Sequence, residues 1–126
     1  MKNILVTGGA GFIGSAFVRY MVDKHPEYNI IVYDKLTYAG NMDNLLPVSD
    51  EPNYRFEQGD IADREMVRQV FDQHNVDTVV NFAAESHVDR SIHDAHPFVR
   101  TNVLGTQILL DAAREFGVRK FVQVST

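Results

Sequence analysis

The seven residues Gly8-Gly9-Ala10-Gly11-Phe12-Ile13-Gly14 hold four glycines and limit the fold more than any other stretch of the chain. They follow a short run rich in β-branched residues over 2–7, whose lack of alternation suggests a strand covered on both faces, as in a parallel sheet. After them Phe12, Ile13, Ala16, Phe17, Tyr20 and Met21 recur at spacings of three and four, which predicts a helix carried to about Lys24 and ended by Pro26. A strand, a glycine turn and a helix in this order place backbone N–H groups at a helix N-terminus, where an anion binds well. Two overlapping patterns are present, Gly9-x-Gly11-x-x-Gly14 and Gly8-x-x-Gly11-x-x-Gly14. In both, glycine serves the tight turn, the close approach of a diphosphate and the packing of helix on strand.

The rest of the chain extends this beginning into an alternating pattern. Residues 29–33 form a second β-rich run that stops at Asp34, and the polar stretch 35–53 has room for a short helix near 42–46. Residues 54–58 suggest a third strand, and Asp63 suits the N-cap of a helix lined by Met66, Val67, Val70 and Phe71. Residues 78–83 form a fourth strand and 120–124 a fifth. Between them Pro97 suits the first turn of a helix carrying Val103, Leu104, Ile108, Leu109, Ala112 and Phe116, ended by Gly117. Strands alternating with helices predict an α/β fold, a doubly wound parallel sheet of the Rossmann-like kind with five strands in the order 3-2-1-4-5.

Composition removes several functions. Twelve basic against seventeen acidic residues leave a net charge of −5, so no broad basic surface exists for nucleic acid or an anionic membrane. Cysteine is absent, which excludes disulfides and thiolate chemistry and fits a reducing, cytoplasmic setting. The first apolar run is too short for a membrane or signal segment. The length fits one domain spanning residues 1–126.

Asp34 ends the second strand twenty residues after Gly14, where a carboxylate meets the adenosine ribose hydroxyls and repels a 2′-phosphate. NAD is therefore preferred over NADP, although Lys35 next door would soften the exclusion. Asp60, beyond the third strand, stands where an adenine-edge acceptor would sit, although its Asp-Ile-Ala setting equally suits a plain loop. The segment from Asn81 to Ile92 lies at the switch in strand order, where small Ala83 and Ala84 would let a cofactor pack closely. There Ser86 and His87 are the best candidates to meet a second ligand, whereas Asp89 and Arg90 suit a role in holding the loop. Three other patterns carry less. His87, His93 and His96 lack any metal-ligand spacing, so no metal is expected. Ser125 lacks the elbow of a hydrolase. Tyr20-x-x-x-Lys24 looks like a dehydrogenase proton-transfer pair, but Tyr20 lies about 9 Å down the first helix from Gly14 and reads as core.

Thr7 to Ser15, Asp34-Lys35-Leu36-Thr37-Tyr38-Ala39-Gly40-Asn41, Ala83-Ala84-Glu85-Ser86-His87-Val88-Asp89-Arg90-Ser91-Ile92, Thr101 to Thr106 and Val124-Ser125-Thr126 together closely resemble the dTDP-glucose 4,6-dehydratases. These belong to the extended short-chain dehydrogenase/reductase superfamily, and the resemblance covers essentially the whole chain. It implies a lyase that moves hydride from sugar C4 to NAD, eliminates water across C5 and C6, and returns the hydride to C6. It implies NAD contacts from the glycine turn at Gly8, Gly11, Phe12, Ile13 and Gly14, and from Asp34, Lys35, Leu36, Thr37, Asp60, Ile61, Phe82, Ala83, Ala84, Glu85, Ser86 and Thr101. Ser86, His87 and Thr126 would face the nucleotide sugar, with Thr126 positioning it for catalysis. The family's Asp-Glu pair, its Tyr-x-x-x-Lys pair and its substrate domain follow the position of Thr126. The 126 residues are therefore expected to form an incomplete, cofactor-binding portion, inactive alone. An epimerase or decarboxylase of the same superfamily, or a non-catalytic dinucleotide sensor, would share the glycines and Asp34. A homo-oligomer is possible. An uncovered fifth strand with Phe121, Val122 and Val124 would forfeit about 5 kcal/mol for ~200 Å² of exposed apolar surface, so self-association or a low melting temperature is expected.

Overall fold

A computed structural model describes residues 2–36, 42–82 and 100–124. Strands β1 (Asn3–Thr7), β2 (Asn29–Asp34), β3 (Tyr54–Gln58), β4 (Thr78–Asn81) and β5 (Lys120–Gln123) form one sheet in the order β3-β2-β1-β4-β5. Every pairing is parallel. The helices are α1 (Phe12–Lys24), α2 (Arg64–His74) and α3 (Thr106–Glu115). A 3-10 helix, Met42–Val48, follows β2, and a π-helical segment, Arg100–Gly105, leads into α3. The strand order expected from the sequence is the observed one.

Side chains alternate across β1 and β2, and the two faces make two cores. Leu5, Ile31 and Tyr33 point to the face where Val67, Val70 and Phe71 of α2 and Ile108, Leu109 and Ala112 of α3 are buried. Ile4, Val6, Ile30 and Val32 point to the other, against Val18 and Val22 of α1 and Leu45 and Val48 of the 3-10 helix. With both faces covered, β1 and β2 are almost wholly apolar, as parallel central strands must be. Asp63 caps α2 as its position predicts, accepting from Met66 N at 3.2 Å, and Asn75 closes that helix in the left-handed region with φ 50°.

Two expectations about helix faces fail. In α1 the buried residues are Gly14, Ser15, Val18 and Val22, while Phe12, Ile13 and Tyr20 are exposed, so Tyr20 is not core. The first turn of the helix lies so close to the glycine turn that a Cβ on Gly14 would not fit, and Phe12, Ile13 and Tyr20 are turned outward, while Phe17 and Met21 are partly buried against the core on the same side as Val18 and Val22. In the last crossover the α-helix starts at Thr106, and Val103 and Leu104 are exposed instead of joining Ile108 and Leu109 in the core. The π-helical segment widens the turn, which shifts the phase of the residues before it relative to those after it. Pro97 lies outside the described residues. Phe121 and Val124 of the β5 region are partly buried and Val122 is 36 % exposed, in line with a thinly covered strand.

Candidate functional site

Parallel pairing brings every strand out at one edge. Thr7 is in register with Tyr33 and Asn81, Asp34 with Gln58, and Asn81 with Gln123. The glycine turn after β1, Asp34 to Leu36 after β2, Asp60 and Ile61 after β3 and Phe82 after β4 therefore share that edge. α1 covers one face and α3 the other, and the strand order switches between β1 and β4, the place where open parallel sheets take their ligands.

The turn is built by backbone contacts. Gly8 has φ 75°, a conformation that costs a side chain roughly 1–2 kcal/mol, and its carbonyl accepts from Gly11 N at 3.2 Å. The first turn of α1 packs on that carbonyl: a Cβ on Gly14 would stand 2.3 Å from Gly8 O. Gly11 is the N-cap of α1 and makes no side-chain capping bond, so the positive end of the helix carries no capping side chain from its own N-cap residue. Phe12 and Ile13 occupy the first two helical positions, 86 % and 64 % exposed, which frees their surroundings for a ligand rather than for core.

Asp34 is 8 % exposed, and both of its oxygens are held. Oδ2 accepts from Ala10 N at 2.8 Å, and Oδ1 accepts from Leu36 N at 2.7 Å. The carboxylate therefore lies against the glycine turn, and each oxygen has a second lone pair beyond the bond it accepts. Leu36 itself takes φ 61°, a strained value for a non-glycine residue, and the bond from its N–H to Asp34 is what holds it there.

After β3, Asp60 Oδ1 accepts from Ala62 N at 2.9 Å, its main-chain oxygen accepts from the Tyr33 hydroxyl at 2.8 Å, and its Oδ2 is 3.4 Å from Lys35 Nζ. Burial, and then the carboxylates of Asp63, Asp60 and Glu57, push the Tyr33 phenol far above its ordinary range, so it stays a donor. Ile61 is buried in the core with α2 and α3, directly beneath Gly105, where an added Cβ would meet its Cγ1. Phe82 stacks obliquely on Phe17 of α1 with ring centres 5.5 Å apart. Thr101 lies in the π-helical segment. Thr37, Ala83, Ala84, Glu85, Ser86, His87 and Thr126, with Asp89, Arg90, His93 and His96, lie outside the described residues. Among the described residues no three His, Asp or Glu side chains gather as a metal site would need, and no helix is long and apolar enough to cross a membrane.

Two supports were not found in the sequence. Asn44 of the 3-10 helix donates through Nδ2 to Ala10 O at 3.0 Å, and Arg19 of α1 donates to Asn44 O at 2.7 Å, so the segment after β2 braces the glycine turn. At the switch in strand order, buried Thr7 donates through Oγ1 to Asn81 Oδ1 at 2.5 Å, and Asn81 Nδ2 donates to Gln123 Oε1 at 2.7 Å. This row ties the ends of β1, β4 and β5 together. A polar residue closing each of three apolar strands was the available signal, but partners more than forty positions apart are set only by the register.

The model of the GDP-mannose 4,6 dehydratase family matches residues 5–126. The chain is 56 % identical over 126 residues to a dTDP-glucose 4,6-dehydratase of Streptomyces griseus, covering 98 % of this chain and 38 % of that protein. Among solved structures it is similar to a double mutant of the dTDP-glucose 4,6-dehydratase of Streptomyces venezuelae with NAD bound. There the TM-score is 0.90 at 52 % identity, over 98 % of this chain and 39 % of that one. The UDP-glucose 4-epimerase of Thermotoga maritima fits almost as well in shape, with TM-score 0.88, but at 37 % identity over 98 % of this chain and 38 % of that one. The chain thus spans roughly a third to two fifths of the length of the first curated relatives it matches. With its glycine turn, its carboxylate-ended second strand and its 3-2-1-4-5 sheet, this chain belongs to the GDP-mannose 4,6 dehydratase family.

Proposed function

We propose that this chain is the NAD-binding portion of a nucleotide-sugar 4,6-dehydratase that acts on dTDP-glucose. The observation that carries the reading is the Asp34 carboxylate anchored on Ala10 N beside the glycine-capped start of α1, which brings a ribose acceptor and a diphosphate site together. The N–H groups of Phe12 and Ile13 would take the diphosphate, with Gly8, Gly11 and Gly14 leaving the space. Asp34, with the backbone of Lys35, Leu36 and Thr37, would hold the adenosine ribose, and Asp60 with Ile61 the adenine. Phe82, Ala83, Ala84, Glu85, Ser86 and Thr101 would line the nicotinamide side. Ser86, His87 and Thr126 would meet the sugar, Thr126 as its positioning residue. NAD, when bound, supplies the hydride acceptor that the reaction uses and regenerates.

The choice of dehydratase over epimerase rests on identity rather than on shape, since the two structures fit about equally in TM-score while their identities are 52 % and 37 %. A cysteine-free chain fits a cytoplasmic setting. Titration calorimetry with NAD tests the cofactor reading, and a heat-silent titration would refute it. In parallel, the chain alone should form no 4-keto sugar from dTDP-glucose, because positioned acid and base groups contribute about 10²- to 10⁴-fold each and the family's pairs are not among these residues. Turnover by the isolated chain would overturn the division of labour proposed.

A further inference from the structure

Lys35 occupies the position where a cation would meet a ribose 2′-phosphate. It follows the ribose-facing Asp34 directly, and a basic residue near that acid is how this fold accommodates NADP. By position alone, Lys35 would weaken the discrimination that Asp34 provides. In the folded chain its ammonium is committed elsewhere, with Nζ 3.4 Å from Oδ2 of Asp60.

The geometry around this pair is fixed on the acidic side. The Asp60 side chain is 17 % exposed while that of Lys35 is 49 % exposed, so the aspartate is the seated partner and the lysine the one that comes to it. Asp60 is anchored by Ala62 N–H donating to Oδ1 and by the Tyr33 hydroxyl and Asp63 N–H donating to its main-chain oxygen. A Cβ on Gly59 would fall 2.4 Å from the Tyr33 hydroxyl, so the chain can enter Asp60 at this closeness only with glycine before it. On the other side the backbone of Lys35 is pinned between Asp34 and Leu36 by the bond from Leu36 N to Asp34 Oδ1. The Lys35 stem starts from a fixed place and its head ends on a fixed carboxylate.

We infer that Asp60 is a cofactor-specificity residue: it holds the Lys35 ammonium in an ion pair, withholds that cation from a 2′-phosphate, and leaves Asp34 to exclude NADP unopposed. The inference rests on the NAD reading above and goes beyond it, because an adenine contact at Asp60 would serve NAD and NADP alike. Glu57 and Asp63 stand close enough to the Tyr33 hydroxyl to act on it, and they add to the negative field on this side of the site.

The test is the ratio of NADP to NAD dissociation constants by titration calorimetry for the parent chain, Asp60→Asn, Lys35→Ala and the double variant. Asn keeps an oxygen for the Ala62 N–H, and any weakening of adenine binding acts on both dinucleotides equally and cancels in the ratio. Asp60→Asn should lower the ratio about fivefold, the worth of ~1 kcal/mol for one charge contact near water. Lys35→Ala alone should leave it within about twofold, and the double variant should restore the parent ratio, since the gain comes from the freed ammonium. Lys35→Ala, which truncates a half-exposed side chain, keeps the test decisive if Asp60→Asn lowers the melting temperature: a large change in ratio on Lys35→Ala would show the ammonium already acting on the cofactor and overturn the inference. An unchanged ratio in Asp60→Asn, or a drop that persists in the double variant, would also overturn it while the NAD reading stands. A parent chain that binds neither dinucleotide would refute both.

Discussion

Replacing Gly14 by alanine sets two effects of opposite sign against each other. Alanine is the better helix former by about 1 kcal/mol in a helix interior. Against this, its Cβ would lie 2.3 Å from Gly8 O and 3.1 Å from Gly9 Cα. A non-bonded contact needs about 3.5 Å, so a gap of roughly 1.2 Å must open between α1 and the turn. Gly8 O is backbone, already fixed by accepting from Gly11 N, and cannot rotate aside. Against a backbone atom that cannot yield, overpacking costs the upper part of its usual range, about 2–3 kcal/mol, and outweighs the gain in propensity, for a net loss of about 1–2 kcal/mol and about 3–10 °C in Tm. The same shift lengthens hydrogen bonds from Phe12 and Ile13 N–H to a diphosphate by ~1 Å, past their useful range. Each charge-assisted bond broken in this way is worth ~1.5–3 kcal/mol, so NAD affinity should fall by more than about tenfold. Circular dichroism melting and NAD calorimetry read the two effects separately. A Gly14→Ala chain with an unchanged or higher Tm and parental NAD affinity would refute the packing argument and the assignment of the turn together.

Three further outcomes follow from single contacts. Tyr33 and Tyr54 are buried and their phenols are held protonated above the ordinary range. The unfolded chain releases these protons near pH 10 and the folded chain at higher pH, so the contribution of the two phenols to stability is constant below about pH 10 and falls above it, for Tyr33 by up to ~1.4 kcal/mol per pH unit. Tyr33→Phe should remove one group's share of that slope in urea melts between pH 9 and 11; an unchanged slope contradicts it. Asp63→Ala removes the cap on Met66 N and should destabilise by about 1 kcal/mol, seen as a lower urea midpoint, with a neutral result counting against the cap. Among the described residues no strand pairs with the outer edge of β5, where Val122 is exposed, so Val122→Lys should reduce concentration-dependent association in sedimentation experiments. Equal association of the two chains would place the contact elsewhere.

Much of the sheet was legible because its signals are local: the β-branched runs of β1, β2 and β4, bounded by turn residues, need no knowledge of what packs on them, whereas β3, with no β-branched residue, was the weakest of the strands in the sequence. The Asp63 cap and the position of Asp34 were legible for the same reason. The α1 face was not. Phe12, Ile13, Ala16, Phe17, Tyr20 and Met21 recur at helical spacing, but only Phe17 and Met21 of them pack against the core, beside Val18 and Val22, so the period marked the helix without fixing its inward face. Closeness of approach chose the side, and it favoured Gly14 and Ser15, which carry no hydrophobic signal at all. The start of α3 was hidden differently, since the π-helical segment changes phase without leaving any mark in composition. Within the site, the carboxylate was readable but its anchor was not: Ala10 donates through its backbone, and the pairing of Lys35 with Asp60 joins residues on two separate loops.

A crystal structure of the chain grown with NAD tests the central claim most directly. The account predicts the diphosphate on the N–H groups of Phe12 and Ile13 and the adenosine ribose hydroxyls on Asp34, with the Ala10 N–H to Asp34 bond kept. A dinucleotide seated elsewhere, or an Asp34 carboxylate turned away from the ribose, would contradict it.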